Sequence, residues 1–236
     1  MVGRDAPGAQ VMSASARDDV LARIRAATTG STAPAIARDY RQTVAADIDL
    51  LVDRLEDYRA VVHRCSAAQV PSVIDAALTS AGVNRVVTPP GLDADWVAHI
   101  RQADVDRSVI ADDGTLQPVD LDGDDVAVIT TCTVAITETG TIVLDGSSGQ
   151  GRRLLTLVPD HHLCVVATDQ VVGSVPDAFR VLDPRRPLTW ISGPSATSDI
   201  ELRRVEGVHG PRHLVVVIVD QPSRRSPESP PGGASS

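Results

Sequence analysis

Three polar clusters hold the side chains of this chain best suited to chemistry, and each interrupts or follows an apolar run. The first is Glu138-Thr139-Gly140-Thr141, between Val134-Ala135-Ile136 and Ile142-Val143-Leu144. It leads through Gly146-Ser147-Ser148-Gly149-Gln150-Gly151 to Arg152-Arg153. The second is Ser192-Gly193-Pro194-Ser195-Ala196-Thr197-Ser198-Asp199, and the third Gly207-Val208-His209-Gly210-Pro211. Loops carried on a rigid sheet are where function concentrates, and the three are expected to share one rim of an α/β sheet.

Glu138 is the one carboxylate of its strand-and-turn region. Buried, it would serve as a general base or covalent nucleophile; otherwise it forms a salt bridge with Arg152 or Arg153 that fixes the turn. His209 lies between glycines, a setting that exposes an imidazole for acid–base work or for donation to a carboxylate. The glycine run matches neither the dinucleotide fingerprint nor a phosphate loop. Its plain reading is a flexible hairpin connection, with Arg152 and Arg153 beside open backbone N–H groups as a cradle for a small anion. Ser195 is expected to cap a short helix after an apolar strand at Leu188-Thr189-Trp190-Ile191. That helix either presents its N-terminus to an anion at the sheet edge or is simply capped by Ser195 and Thr197. The candidate catalytic residues are therefore Glu138 and His209. The candidate anion-binding set is Thr139, Gly140, Thr141, Arg152, Arg153, Gly193, Ser195, Thr197 and Asp199. His161 and His162 read as a pair at a strand start, and three histidines without fixed spacing do not make a zinc site, so no metal is expected.

Composition narrows the partners. A net charge of -9 with a pI near 5.0 disfavours nucleic acid, which needs a basic face. Aromatics at 2% leave no stacking platform for single strands. Every basic side chain is Arg, and the absence of Lys excludes Schiff-base chemistry and a lysine-bearing phosphate loop. Cys65, Cys132 and Cys164 are scattered in apolar runs without a C-x-x-C pair, which reads as buried reduced thiols rather than a metal or cluster site. No apolar stretch approaches a membrane span, and no leader is evident, so a cytoplasmic protein without a membrane partner is expected.

The elements that must position the clusters follow from periodicity. Residues 1–12 and 221–236 have the composition of disordered ends. A helical segment over 13–57 carries two helices. One is capped by Ser15, with Val20, Leu21 and Ile24 as its stripe; the other runs from Asp47 to Leu55. They form a bracket laid over the domain or else a contact for another chain. From 58 to 220, strands at Tyr58 to His63, Arg85-Val86-Val87, Ser108-Val109-Ile110, Val126 to Ile129, Cys164-Val165-Val166 and Leu214 to Val219 alternate with helices. The helices are placed at Ser66 to Ser80, Trp96 to Gln102 and Pro176 to Leu182. That alternation predicts an α/β domain with a mostly parallel sheet. The acidic stretch between Asp104 and Asp125 reads as a solvated loop.

The same motifs carry a resemblance. Ala135-Ile136-Thr137-Glu138-Thr139-Gly140-Thr141-Ile142-Val143-Leu144, Leu157-Val158-Pro159-Asp160-His161-His162, the run from Ile191 to Glu201, and Gly207-Val208-His209-Gly210-Pro211 resemble the LUD-domain family in content and order. The segment Ser15 to Arg25 is similar to the start of such proteins, so the likeness spans roughly 13–220. Ala196 stands where that family more often has a basic residue. The resemblance implies a Rossmann-like fold of the NagB/ribose-5-phosphate isomerase/CoA-transferase group. It also implies a role in oxidising L-lactate to pyruvate alongside iron–sulfur partner subunits, with lactate or pyruvate as the small organic acid bound. The cofactor of this chain stays open, since its cysteines form no cluster motif. Glu138-Thr139-Gly140 is similar in outline to the nucleophilic glutamate of CoA-transferases of that fold group. Three readings stand side by side: a non-redox subunit of a lactate-oxidising complex, a stand-alone enzyme working through Glu138, and a scaffold or regulatory protein.

Overall fold

The computed structural model describes residues 14–32, 34–37, 39, 41–103, 106–197, 205–206 and 210–220. The chain divides into two compact units, Met1–Tyr40 and Arg41–Ser236. In the first, helix α1 spans Ala14–Thr28, with Ser15 inside its first turn rather than preceding it and with Val20 and Ile24 exposed. The second unit begins well before residue 58 and takes in helix α2, Ile48–Asp57.

Six parallel strands form the frame of the second unit. They are β1 (Val61–Ser66), β2 (Arg85–Thr88), β3 (Ser108–Ala111), β4 (Val126–Thr131), β7 (His161–Ala167) and β12 (His213–Asp220). Their spatial order is β1-β12-β7-β4-β2-β3. The central strands read as unbroken runs of small and β-branched residues because both faces are covered, as parallel sheets require. On one face Ala127, Ile129, Leu163, Val165, Val217 and Val219 pack under α3 (Val70–Ser80) and α4 (Ala94–Gln102). On the other, Cys164, Val166, Val216 and Ile218 meet Leu51 and Leu55 of α2. Truncating a buried Leu or Ile in such a core costs about 2–5 kcal/mol. Pro71 sits in the first turn of α3, where its missing N–H costs nothing.

A buried cation ties the helical face to the sheet. Arg107 donates to Asp75 (2.6 Å), to Thr79 (3.0 Å) and to the Val83 carbonyl (3.1 Å), which joins α3 to the approach of β3. Asp125, at the end of the acidic stretch, takes the Arg85 guanidinium at 2.9 Å, and that hydrogen bond holds its carboxyl below the usual range. Asp125 is thus anchored to the fold, while Asp113, Asp120, Asp122 and Asp124 are exposed, as expected of a solvated loop.

The strand-and-turn region forms a sheet of its own. Strands β5 (Val134–Ile136) and β6 (Thr141–Leu144) pair antiparallel, β6 pairs antiparallel with β9 (Thr189–Ile191), and β5 pairs parallel with β8 (Val171–Val172). The four-residue turn between β5 and β6 reverses the chain at once, which a parallel pairing does not permit. This small sheet lies between the central sheet and helix α5 (Val175–Val181), covering Val134, Ile136 and Val143 with Ala178 and Leu182. Among the described residues no helix is long and apolar enough to cross a membrane.

Candidate functional site

The chain passes from β2 to β3 on one side of the sheet and from β4 to β7 on the other. The crevice between the C-terminal ends of β2 and β4 is therefore a topological switch point, where open α/β sheets take their ligands. The glycine run is pinned over it: Thr131 N donates to the Gly149 carbonyl and Gly149 N to the Pro90 carbonyl, each at 2.8 Å. Gly149 has φ +78°, and a Cβ there would stand 2.9 Å from Thr131 Oγ1, so this close approach needs glycine.

Around that loop opens a cavity of about 780 Å³, walled by Gly91 after β2, by Asp112 and Asp113 after β3, by the loop itself, and by Arg152, Arg153 and Arg186. Two of the cations are tied to the fold. Arg152 donates in bidentate fashion to buried Asp112 through Nε and Nη2, both at 2.9 Å, and to the Leu116 carbonyl at 2.6 Å. Arg186 lies 3.2 Å from Asp145. Burial would raise the Asp145 carboxyl, but hydrogen bonds from Ser147 and Thr133 and the nearby Arg186 outweigh it and hold the pKa low. The Arg153 guanidinium has no hydrogen-bonding or ionic partner among the described residues, although the Arg153 carbonyl accepts from Thr156 Oγ1 at 3.1 Å.

Arg153, Thr156 and Thr189 also line a second cavity of about 500 Å³, shared with His162, Trp190, Ser192, Gly193, Ser195 and Gly210. The short helix Arg153–Thr156 thus forms the partition between the two spaces. His162, 1% exposed, is hydrogen-bonded through Nε2 to Thr130 Oγ1 at 2.8 Å. Burial pushes its imidazole down to about 4, so the ring is neutral at physiological pH. The wall of this second cavity combines the Arg153 guanidinium, hydroxyls and a neutral imidazole from β7, a set suited to a small carboxylate bearing a second oxygen.

The Glu138 turn stands apart. It and the glycine loop leave opposite ends of β6, and Glu138 lines neither cavity. Its side chain, 30% exposed, pairs with Arg41 rather than with Arg152 or Arg153. Thr137 Oγ1 bonds both the N–H and the carbonyl of Asp47, at 3.2 Å each. Thr139 donates to Thr141 Oγ1, which in turn meets Ser192 Oγ, both at 2.7 Å. Gly140 packs on the Arg54 backbone and Gly193 on Tyr58. The first two clusters therefore touch through Thr141 and Ser192, while Glu138 and Arg153 are not brought together. The expected helix at Ser195 is absent: Ala196–Thr197 forms strand β10, paired antiparallel with β11 (Val205–Glu206), and Ser195 N donates to the Pro211 carbonyl at 2.8 Å. Thr197 pairs with Val205 in that ladder. Asp199 and His209 lie outside the described residues.

With this geometry in hand, the chain compares closely with known proteins. Its sequence matches the LUD domain over residues 125–219. Lactate utilization protein C of Deinococcus radiodurans is 48% identical over 171 residues, 71% of this chain and 76% of that protein. The chain belongs to the LUD-domain family. Lactate utilization protein C of Shouchella clausii is 25% identical over 193 residues, covering 79% of this chain and 75% of its own. The crystal structure of a DUF162 family protein from Deinococcus radiodurans superposes with a TM-score of 0.60 at 41% identity, covering 73% of this chain and 95% of that one. The LUD segment holds the turn, the glycine loop and the partition helix, so both cavities are built largely from it.

Some lining residues of this LUD-domain chain escaped the sequence reading. Asp112 and Gly91 come from strand ends that only the sheet order brings to the loop. Thr156 had no motif signal. His162 was visible as half of a pair, but its burial follows from its alternate position with His161 on β7.

Proposed function

We propose that this chain takes part in lactate utilization by holding the carboxylate of a 2-hydroxy acid, or of its 2-oxo product, against Arg153. The names of two relatives supply the pathway. The observation that carries the site is the unpaired Arg153 guanidinium on the partition, with Thr156, Ser192 and His162 within the same cavity. A guanidinium grips a carboxylate through two parallel N–H bonds, and hydroxyls beside it take up the remaining oxygen of the acid. Across Arg153, the rim cavity has a volume typical of cofactor sites.

Oxidation of L-lactate to pyruvate removes two electrons and two protons. The cysteines of this chain do not fit an iron–sulfur cluster. Cys65 packs on the α3 face, and Cys132 and Cys164 on the other. The Cys132 thiol is pushed well up by its hydrogen bond with Cys164 and by burial; the Cys65 thiol is raised by burial and by Asp220. Cluster ligands are thiolates, so we assign the electron-accepting centres to iron–sulfur partner subunits and substrate holding to this chain.

Thermal unfolding of the full chain with L-lactate, D-lactate, pyruvate and sulfate tests the site. L-Lactate or pyruvate is expected to raise Tm as its concentration passes Kd, and sulfate to do so less. Arg153→Ala should keep the ligand-free Tm and lose the shift. Arg152→Ala should lower the ligand-free Tm by leaving buried Asp112 unpaired, at a cost of about 1–3 kcal/mol for a half-exposed guanidinium. A full shift retained in Arg153→Ala would overturn the site. Co-purification of cysteine-rich iron–sulfur proteins tests the partner assignment separately.

A further inference from the structure

His161 opens β7 and His213 opens β12, and the parallel register of these neighbouring strands sets the two directly beside each other. Residues paired in this way point to the same face. Each histidine therefore extends an apolar row, Leu163 and Val165 beyond one and Val215 and Val217 beyond the other, all in the core under α3 and α4. At the open end of these rows the imidazoles stack, with ring centroids 4.5 Å apart and planes 16° from parallel. Asp160 brings Oδ2 to 3.8 Å from Nε2 of both rings, while Arg212 takes its other oxygen. One donor atom from each of Asp160, His161 and His213 lies within 4.8 Å of the others.

We propose that Asp160, His161 and His213 bind a divalent transition-metal ion, zinc first, at the N-terminal edge of the central sheet, away from the glycine loop. Two imidazole nitrogens and one carboxylate oxygen form a ligand set of such ions. Around an ion with bonds of about 2.1 Å, neighbouring ligand atoms stand about 3.0–3.4 Å apart, so small side-chain shifts close the shell. Arg212, outside the ligand set, orients Asp160. His161 Nε2 stands 3.0 Å from the Asp124 carbonyl, a contact that ligation through this nitrogen displaces. The cluster faces a cavity of about 750 Å³ that also holds Arg59, His63 and Asp124. Three protein ligands leave a coordination position open toward it, the pattern of metal sites that bind water or substrate. This site is independent of the Arg153 pocket.

The test is calorimetric titration of the untagged full chain with Zn²⁺, with Co²⁺ visible absorption as a second readout. The wild type is expected to take up one ion with nitrogen-ligand bands in the Co²⁺ spectrum. His213→Ala, which removes a 57% exposed ring and leaves the core intact, should weaken binding about tenfold or more and change those bands. Asp160→Asn and His161→Ala should act in the same direction, with circular dichroism checking the fold. His99→Ala, on α4, should leave binding unchanged. No uptake by the wild type, or undiminished affinity in folded His213→Ala, would overturn the proposal.

Discussion

The two ends of strand β6 look alike as text and differ as structure. Both carry glycines, hydroxyls and a charged group. The Glu138 turn, however, uses its polar groups internally: Glu138 on Arg41, Thr137 on Asp47, and Thr139 and Thr141 on one another and on Ser192. The loop at the other end is clamped at Gly149 but presents Arg153 to two cavities without a partner among the described residues. What distinguishes the candidate site from the structural knot here is the unpaired guanidinium, not the residue types.

Glycine substitutions sharpen this contrast most. Gly140 has φ +57°, and a Cβ would sit 2.7 Å from Arg54 Cβ and 3.0 Å from its carbonyl carbon. Backbone strain and overlap together should cost Gly140→Ala about 2–5 kcal/mol. Gly146 has φ +72°, and a Cβ would approach only the Gly151 carbonyl oxygen, at 3.7 Å. Gly146→Ala should cost about 1–2 kcal/mol, the strain alone. Urea unfolding of both variants measures the difference, and equal costs would erase the distinction between a closed turn and an open loop.

The buried imidazole at the second cavity gives the next effect. His162 titrates near 4 in the folded chain against 6.5 for a free imidazole. The unfolded state therefore binds the proton more readily, and stability is complete above pH 6.5 and declines as pH falls toward 4. The loss at full protonation is about 3 kcal/mol for a shift of this size. Chemical unfolding between pH 4 and 7, with a chelator present, should show a steeper slope in the wild type than in His162→Gln. The residual slope of the variant comes from His161, held low by burial, and from carboxylates held low such as Asp145. A slope unchanged in His162→Gln would place the proton elsewhere.

The alternation of elements was legible because each strand's composition reports burial on both faces. The β-branched runs at 126–131 and 213–220 could only be central strands, and the apolar spacing from Asp47 to Leu55 announced the helix that Asp47 caps. Ser66, expected as a cap for the next helix, heads a short 3-10 turn over Ala67–Gln69 instead, and α3 begins at Val70. Register and sheet order were not legible. Nothing local in Asp160-His161 or Arg212-His213 says that they become neighbours, so a ligand triad looked like scattered histidines. The same blindness paired Glu138 with the nearest arginines in sequence, whereas Arg41 reaches it across 97 positions. Ser195 was read as a helix cap because serine after Gly-Pro suits one, yet the chain continues extended into β10.

The smallest expected effect tests the turn itself. Arg41 and Glu138 are both substantially solvent-exposed, and exposed pairs contribute about 0–1 kcal/mol. Glu138→Gln should therefore change unfolding free energy by less than about 1 kcal/mol and leave ligand-induced stabilisation at Arg153 intact. The hydroxyl network through Thr141 and Ser192 does not involve the carboxylate, so it should survive the substitution. Should Glu138→Gln instead abolish turnover or ligand binding while the fold and its stability persist, the turn would be a working part of the site. The contrast between the two ends of β6 would then fail, and an enzyme acting through Glu138 would be the better account of this chain.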